Sequence, residues 1–244
     1  MIIRKSFKAE TAHIVRGAFS SRCDKNIHGH SYLYELELLT KNTTHLDNAG
    51  MITDFSFIKK YFNPLFDSFD HASILMKSEK EEIKNCFKNN FERVIIAKWN
   101  STAELQSLFF ACISKFLIRY LDENDLWENG EKNVEFGAVT VHETVSGYAK
   151  STTCDVYIDV DINNNVLVDD LGYFNNENNN WILEQIKFQR SCMLDVEFSE
   201  GIMKDWTPEF KKFWHWVQQY TRRKSWRCSW RRACGTPSFR SASS

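Results

Sequence analysis

None of the seven cysteines in this 244-residue chain is spaced from another as CxxC, and the count is odd. A paired disulfide framework is therefore not expected, and the chain reads as a reduced, cytoplasmic protein. No run of about 18 apolar residues exists, so no transmembrane helix and no membrane partner are expected. The opening stretch MIIRKSFKAE lacks an apolar h-region, so no secretory signal is expected. No internal repeat is evident. Acidic residues are missing from 221–244, which hold seven Lys/Arg and no Asp/Glu. The remainder carries 24 basic against 32 acidic residues, a net charge of −8 over 1–220. So acidic a body argues against nucleic-acid binding. What is present suits a globular protein: 43% hydrophobic and 26% charged residues exclude wholesale disorder. The length fits one large domain, or a domain of about 150 residues with extensions.

Residues 2–13 read as a strand with Phe7, Ala9, Thr11 and His13 on one face, and 28–39 as a second with His28, His30, Tyr32, Tyr34, Leu36 and Leu38 on one face. A loop from Arg16 to Ile27 joins them, and Asp47, Asn48 and Gly50 mark a turn. Asp54 is a good N-cap for a first helix, in which Phe55, Ile58, Phe62, Leu65, Phe66 and Phe69 recur at helical spacing and Pro64 should kink or restart it. A second helix carries the apolar stripe from Leu105 to Tyr120, with Ser101 and Glu104 fitting a capping box. Residues 134–143 and 147–158 read as two strands joined near Ser146-Gly147. The order strand, strand, helix, helix, strand, strand predicts an α+β protein: a four-stranded antiparallel sheet with two helices on one face.

Beyond residue 155 the pattern weakens. Asn163–Asn165 and Asn175–Asn180 are loop-like, Trp181–Phe188 fits strand and helix equally, and Thr207-Pro208 starts a short helix with Phe210, Phe213, Trp214 and Val217 inward. The expected division is a folded domain over 1–154, a C-terminal extension with an Asn-rich insertion over 155–220, and a basic tail over 221–244 that reads as disordered or non-native.

Three histidines stand out. His28 and His30 share one strand face, their side chains roughly 6–7 Å apart, which lets both reach one metal. If the first two strands pair antiparallel, His13 lies near them, and three neutral imidazoles with an open fourth position make a catalytic-type Zn²⁺ site. The same pair also reads as strand-end histidines with ordinary hydrogen bonds. Cys23 sits beside Arg22 and Lys25, whose charge would favour a thiolate able to act as base or nucleophile; it also reads as a plain loop cysteine. In Asp70-His71 a carboxylate can orient an imidazole, though neighbours in sequence need not touch. Glu143 follows an apolar strand and reads either as a solvent-facing acid or as an acceptor for two N–H donors of a guanidine-like heterocycle edge. An unrelated zinc hydrolase would be expected to carry a second carboxylate beside the metal or an HExxH helix, and both are missing.

Taken in order, Phe7-Lys8-Ala9-Glu10-Thr11-Ala12-His13, Cys23 with His28-Gly29-His30-Ser31-Tyr32, Gly50-Met51-Ile52-Thr53-Asp54-Phe55, Phe69-Asp70-His71, Ser101-Thr102-Ala103-Glu104 and Val141-His142-Glu143-Thr144 resemble the 6-pyruvoyl-tetrahydropterin synthase / 6-carboxy-tetrahydropterin synthase family over residues 1–153. The resemblance implies the tunnelling fold, assembled usually as a homohexamer with sites at subunit interfaces. It implies zinc on His13, His28 and His30, a catalytic thiol at Cys23, proton-relay partners at Asp70 and His71, a pterin anchor at Glu143, and Thr102 and Glu104 near that pocket. The implied substrate is 7,8-dihydroneopterin triphosphate. The short Cys23-to-His28 spacing favours the 6-carboxy branch, which releases triphosphate and acetaldehyde on the way to queuosine. The alternatives are the pyruvoyl branch, which keeps the side chain, and a non-catalytic pterin-binding relative.

Overall fold

A computed structural model of the chain describes residues 1–41, 50–127, 134–157, 181 and 184–222. The Asn-rich stretches at 163–165 and 175–180, and the tail from 223 onward, lie outside the described residues, as do Asp47 and Asn48; Gly50, the last residue of the expected turn, has φ 77°.

The strands β1 (Ile2–His13) and β2 (His28–Thr40) form an antiparallel hairpin in which His13 faces His28 and Thr11 faces His30. The loop between them contains a short helix, α1 (Ser21–Lys25), capped by Ser20. Beyond β2 the sheet continues through β5 (Val134–His142) to β6 (Tyr148–Thr152), both antiparallel. These four strands are the sheet expected from the sequence.

The expectation of four antiparallel strands nevertheless falls short. The sheet has seven strands of mixed direction. On the free edge of β1, β3 (Ala72–Met76) and β4 (Val94–Ala97) add in parallel, linked through α3 (Glu81–Asn90). Both are short and mostly buried, so neither Ala-Ser-Ile-Leu-Met nor Val-Ile-Ile-Ala carries an alternation that reveals it. The antiparallel β7 (Val196–Phe198) closes the edge and comes from the C-terminal extension.

The two expected helices are α2 (Phe55–Asp67), capped by the Asp54 carboxylate, and α4 (Ala103–Glu123). Pro64 sits inside α2 without ending it, and its carbonyl accepts from the Ser68 hydroxyl at 2.6 Å. The N-cap of α4 is Thr102 rather than the Ser101 of the expected capping box. Ser101 is drawn instead to His13, as described below. The inner alternates of β1 and β2 meet both helices: Phe7 stacks on Phe66 with centroids 4.2 Å apart, and Phe110 packs on Tyr34 and on Phe66, each at 4.7 Å. Burying these rings, each removing well over 100 Å² from water, is the main stabilising term.

The extension joins this same core. A π-helical turn (Gln189–Met193) precedes β7, then come α5 (Glu200–Met203) and α6 (Pro208–Arg222). Phe210, Phe213, Trp214 and Val217 of α6 are all buried in the core shared with the sheet, as the sequence pattern predicts. Among the described residues, no helix is long and apolar enough to cross a membrane.

Candidate metal centre and active site

Strand pairing brings the three histidines together. His13 ends β1 and His28 begins β2 directly opposite, while His30 lies two residues along on the same face, so the imidazoles converge at the loop end of the hairpin. Their centroids are 4.5, 5.1 and 5.2 Å apart, and one ligand nitrogen from each lies within 4.8 Å of the others. His13 is fully buried; the other two are half-buried.

The tautomers follow from the partners. His13 Nδ1 lies 2.9 Å from the Ser101 carbonyl and must donate to it. His28 Nδ1 faces the Asn26 carbonyl at 3.2 Å. Each ring therefore directs an Nε2 lone pair inward, and the two Nε2 atoms stand 3.1 Å apart. Two lone pairs at that distance repel unless a cation joins them. A proton is a poor candidate: burial, with His28 and His30 adding like charge against the opposing Ser101 hydrogen bond, lowers the pKa of His13 to about 4. The three nitrogen donors are thus placed so that they could hold a metal ion. Behind it runs an ordered relay: Tyr34 Oη donates to Gln106 Oε1 at 3.0 Å, and Gln106 Nε2 donates to the same Ser101 carbonyl at 3.0 Å. Such partners fix ring orientation.

Glu143 follows β5 at a tight turn in which its N–H donates to the Gly147 carbonyl. Its Oε1 lies 3.6 Å from both His13 Nε2 and His30 Nε2 and accepts from Tyr32 Oη at 3.1 Å. Burial, reinforced by the neighbouring carboxylate, pushes the Tyr32 phenol far up from its ordinary value, so it stays a donor. One carboxylate, that of Glu143, therefore stands beside the histidines. It escapes local reading because the β2–β5 register, Leu33 opposite His142, is what brings residue 143 beside Tyr32.

The other predicted residues stand apart. Asp70 and His71 do touch: His71 Nδ1 is 2.8 Å from Asp70 Oδ2. Neither hydrogen-bonds nor ion-pairs with the triad. His71 lines an open groove of about 360 Å³ together with Glu10, Thr11, Gly29, Ser31 and His30, so the dyad's imidazole and one histidine of the triad border the same groove. Cys23 lies on α1, half-buried and unpaired as a thiol, with its carbonyl accepting from Val15 N–H at 3.0 Å. Thr102 caps α4 by accepting from Leu105 N–H. Glu104 lines a second groove, between α4 and β6, with Leu108, Lys150 and Tyr157. Ser101, Gln106 and Tyr32 are the supporting residues that sequence reading missed. Only the hydroxyl of Ser101 stood out, and it was assigned to the helix cap.

A family model described as 6-pyruvoyl tetrahydropterin synthase matches residues 2–154. Two Helicobacter pylori proteins named 6-carboxy-5,6,7,8-tetrahydropterin synthase are 33% and 32% identical to the chain over 156 residues, in each case 64% of this chain and 74% of the relative. A Rickettsia bellii protein of the same name is 37% identical over 79 residues, 32% of this chain and 55% of that one.

Proposed function

Since the chain belongs to the 6-pyruvoyl tetrahydropterin synthase family, we propose that it is a zinc-dependent lyase converting 7,8-dihydroneopterin triphosphate and water to 6-carboxy-5,6,7,8-tetrahydropterin, triphosphate and acetaldehyde. The observation that carries this reading is the convergence of three Nε-type donors beside one carboxylate, at the end of a hairpin whose partners fix the tautomers of His13 and His28. Zinc held by His13, His28 and His30 would supply a Lewis acid that makes a substrate hydroxyl easier to deprotonate.

The chain's own groups do the rest. Glu143 accepts from the guanidine-like edge of the pterin and so sets which carbons face the histidines. Cys23, as thiolate, takes a proton from the substrate side chain. His71, its ring oriented by Asp70 at 2.8 Å, moves the second proton. His71 lines one groove with His30 of the triad, and in this reading the chain works as a homo-oligomer.

The branch assignment rests on the four residues between Cys23 and His28 and on the names of the relatives. Incubation with dihydroneopterin triphosphate followed by mass analysis tests it. Acetaldehyde and the 6-carboxy product are expected. A product that keeps its three-carbon side chain would assign the pyruvoyl branch, and no consumption would leave a pterin-binding protein.

A further inference from the structure

His71 is one of two non-glycine residues with positive φ among those described, at 53°. A left-handed histidine costs of order 1 kcal/mol and persists only when its surroundings over-determine it. Here the peptide joining Asp70 to His71 is gripped at both ends. Its N–H donates to the Glu10 carbonyl at 2.7 Å, and its carbonyl accepts from Arg93 Nε at 2.7 Å. Glu10 N–H also donates to Asp70 Oδ1 at 2.9 Å. Arg93 reaches further along the turn, with Nη2 donating to the Asp67 carbonyl at 2.6 Å. Its remaining arm, Nη1, is held by Asp205 Oδ2 at 2.6 Å.

Asp205 belongs to the C-terminal extension, outside the 2–154 match. The junction around it is built, not incidental. Ser199 N–H donates to the Val94 carbonyl and Val94 N–H to Ser199 Oγ, both at 3.0 Å, locking the extension to the residue after Arg93. Gly201 lies so close to the backbone of Glu92 that a Cβ there would collide with it. Trp206 Nε1 donates to the buried Ser68 hydroxyl at 2.7 Å, a second hold on the same turn.

From this geometry we infer that Arg93 is a positioning residue for the Asp70–His71 pair, and that the C-terminal extension, through Asp205 and Trp206, sets the conformation of that turn. The inference rests on the proposed role of the dyad in catalysis. Arg93's planar fork suits two carbonyls and one carboxylate at once, which a lysine cannot match.

The test compares Arg93→Ala, Arg93→Lys and Asp205→Ala with the wild-type chain. Misplacing a proton-transfer group is expected to lower kcat by roughly tenfold to a hundredfold in Arg93→Ala, with KM and zinc content unchanged. Arg93→Lys should fall between it and wild type. Asp205→Ala, which removes a partly exposed ion pair, should lose about twofold to fivefold. Independently of turnover, the His71 amide should exchange with deuterium faster in Arg93→Ala and Asp205→Ala. Wild-type kcat and wild-type exchange in these variants would overturn the proposal, as would a kcat loss accompanied by loss of zinc or a rise in KM. If Arg93→Ala does not fold, Asp205→Ala decides. A wild-type chain that turns over no pterin would refute the catalytic reading, while the exchange measurement would still decide whether Arg93 and the extension hold the turn.

Discussion

His13, His28 and His30 stand on the inner face of a single hairpin, whereas Asp70 and His71 stand on a turn held by β1, by Arg93 before β4 and by a segment more than 110 residues further along the chain. The first group needs one register to exist. Once β1 and β2 pair, three imidazoles converge, and Ser101 and Asn26 leave two of them no choice of tautomer. The second group is 74% exposed at His71, lies in a backbone conformation that histidine disfavours, and depends on contacts no single element supplies. The comparison separates a site encoded by strand periodicity from one encoded by tertiary clamping, and the two should fail differently.

The largest effect should come from the hairpin. His28→Ala removes one of three ligands and leaves an Nε2 lone pair on His13 with no partner ligand at 3.1 Å. Metal content measured by atomic absorption is expected to fall from about one ion per chain to near zero. Asp70→Asn, by contrast, should leave the metal in place while turnover collapses. Metal loss in Asp70→Asn would break the comparison, because the two groups would then be coupled within one chain.

The same distinction explains what was legible in the sequence. Alternation placed Phe7 to His13 and His28 to Leu38 on single faces, and those strands fall within a residue of their expected bounds. The helical stripe located α4 and α6, and Asp54 located the start of α2. Alternation is absent from Ala72–Met76 and Val94–Ala97, whose residues are almost all buried, so the parallel half of the sheet left no period to read. β7 is three residues long. Within the site, Ser101 sat where a capping serine belongs, yet its carbonyl and hydroxyl both face His13 Nδ1, at 2.9 and 3.0 Å. The bond from Arg93 to Asp205 spans 112 residues and has no local signature at all. The expected boundary at 154 marks where family likeness ends; the core continues through it, since β7 and α6 share the sheet's hydrophobic interior.

A smaller effect sharpens the role of Glu143, which lies near enough to two histidines to act as a ligand and is proposed here as a pterin anchor. Glu143→Gln keeps the shape and the Tyr32 hydrogen bond but turns one acceptor into a donor. An anchor predicts a rise in KM of about tenfold to a hundredfold with metal content unchanged, since a hydrogen bond to a charged group contributes about 1.5–3 kcal/mol. Loss of metal with little change in KM would move Glu143 from the substrate to the ion.

The smallest effect concerns the loop that carries Cys23, which neither register nor the dyad clamp controls. Arg16 organises it: Nη1 donates to the Asp24 carbonyl at 2.6 Å, the Arg16 carbonyl accepts from Asn100 Nδ2 at 2.6 Å, and Nε donates to Glu79 Oε2 at 2.6 Å. The Arg16 guanidinium holds the Glu79 carboxyl below the usual carboxylate range. A carboxylate whose folded pKa is depressed stabilises the fold fully above its unfolded value, about 4.3, and loses that contribution as pH falls through the lower folded value. Wild type should therefore exceed Glu79→Gln in stability by no more than about 1 kcal/mol at pH 7, as expected of a partly exposed ion pair. Thermal melts should show that gap start to close near the unfolded value of about 4.3 and vanish only once the pH has fallen below the depressed folded value, where Glu79 is neutral in both states. A gap that does not narrow at all as the pH falls would mean that the glutamate holds the Cys23 loop by shape and neutral hydrogen bonding, making this region resemble the hairpin more than the clamped turn.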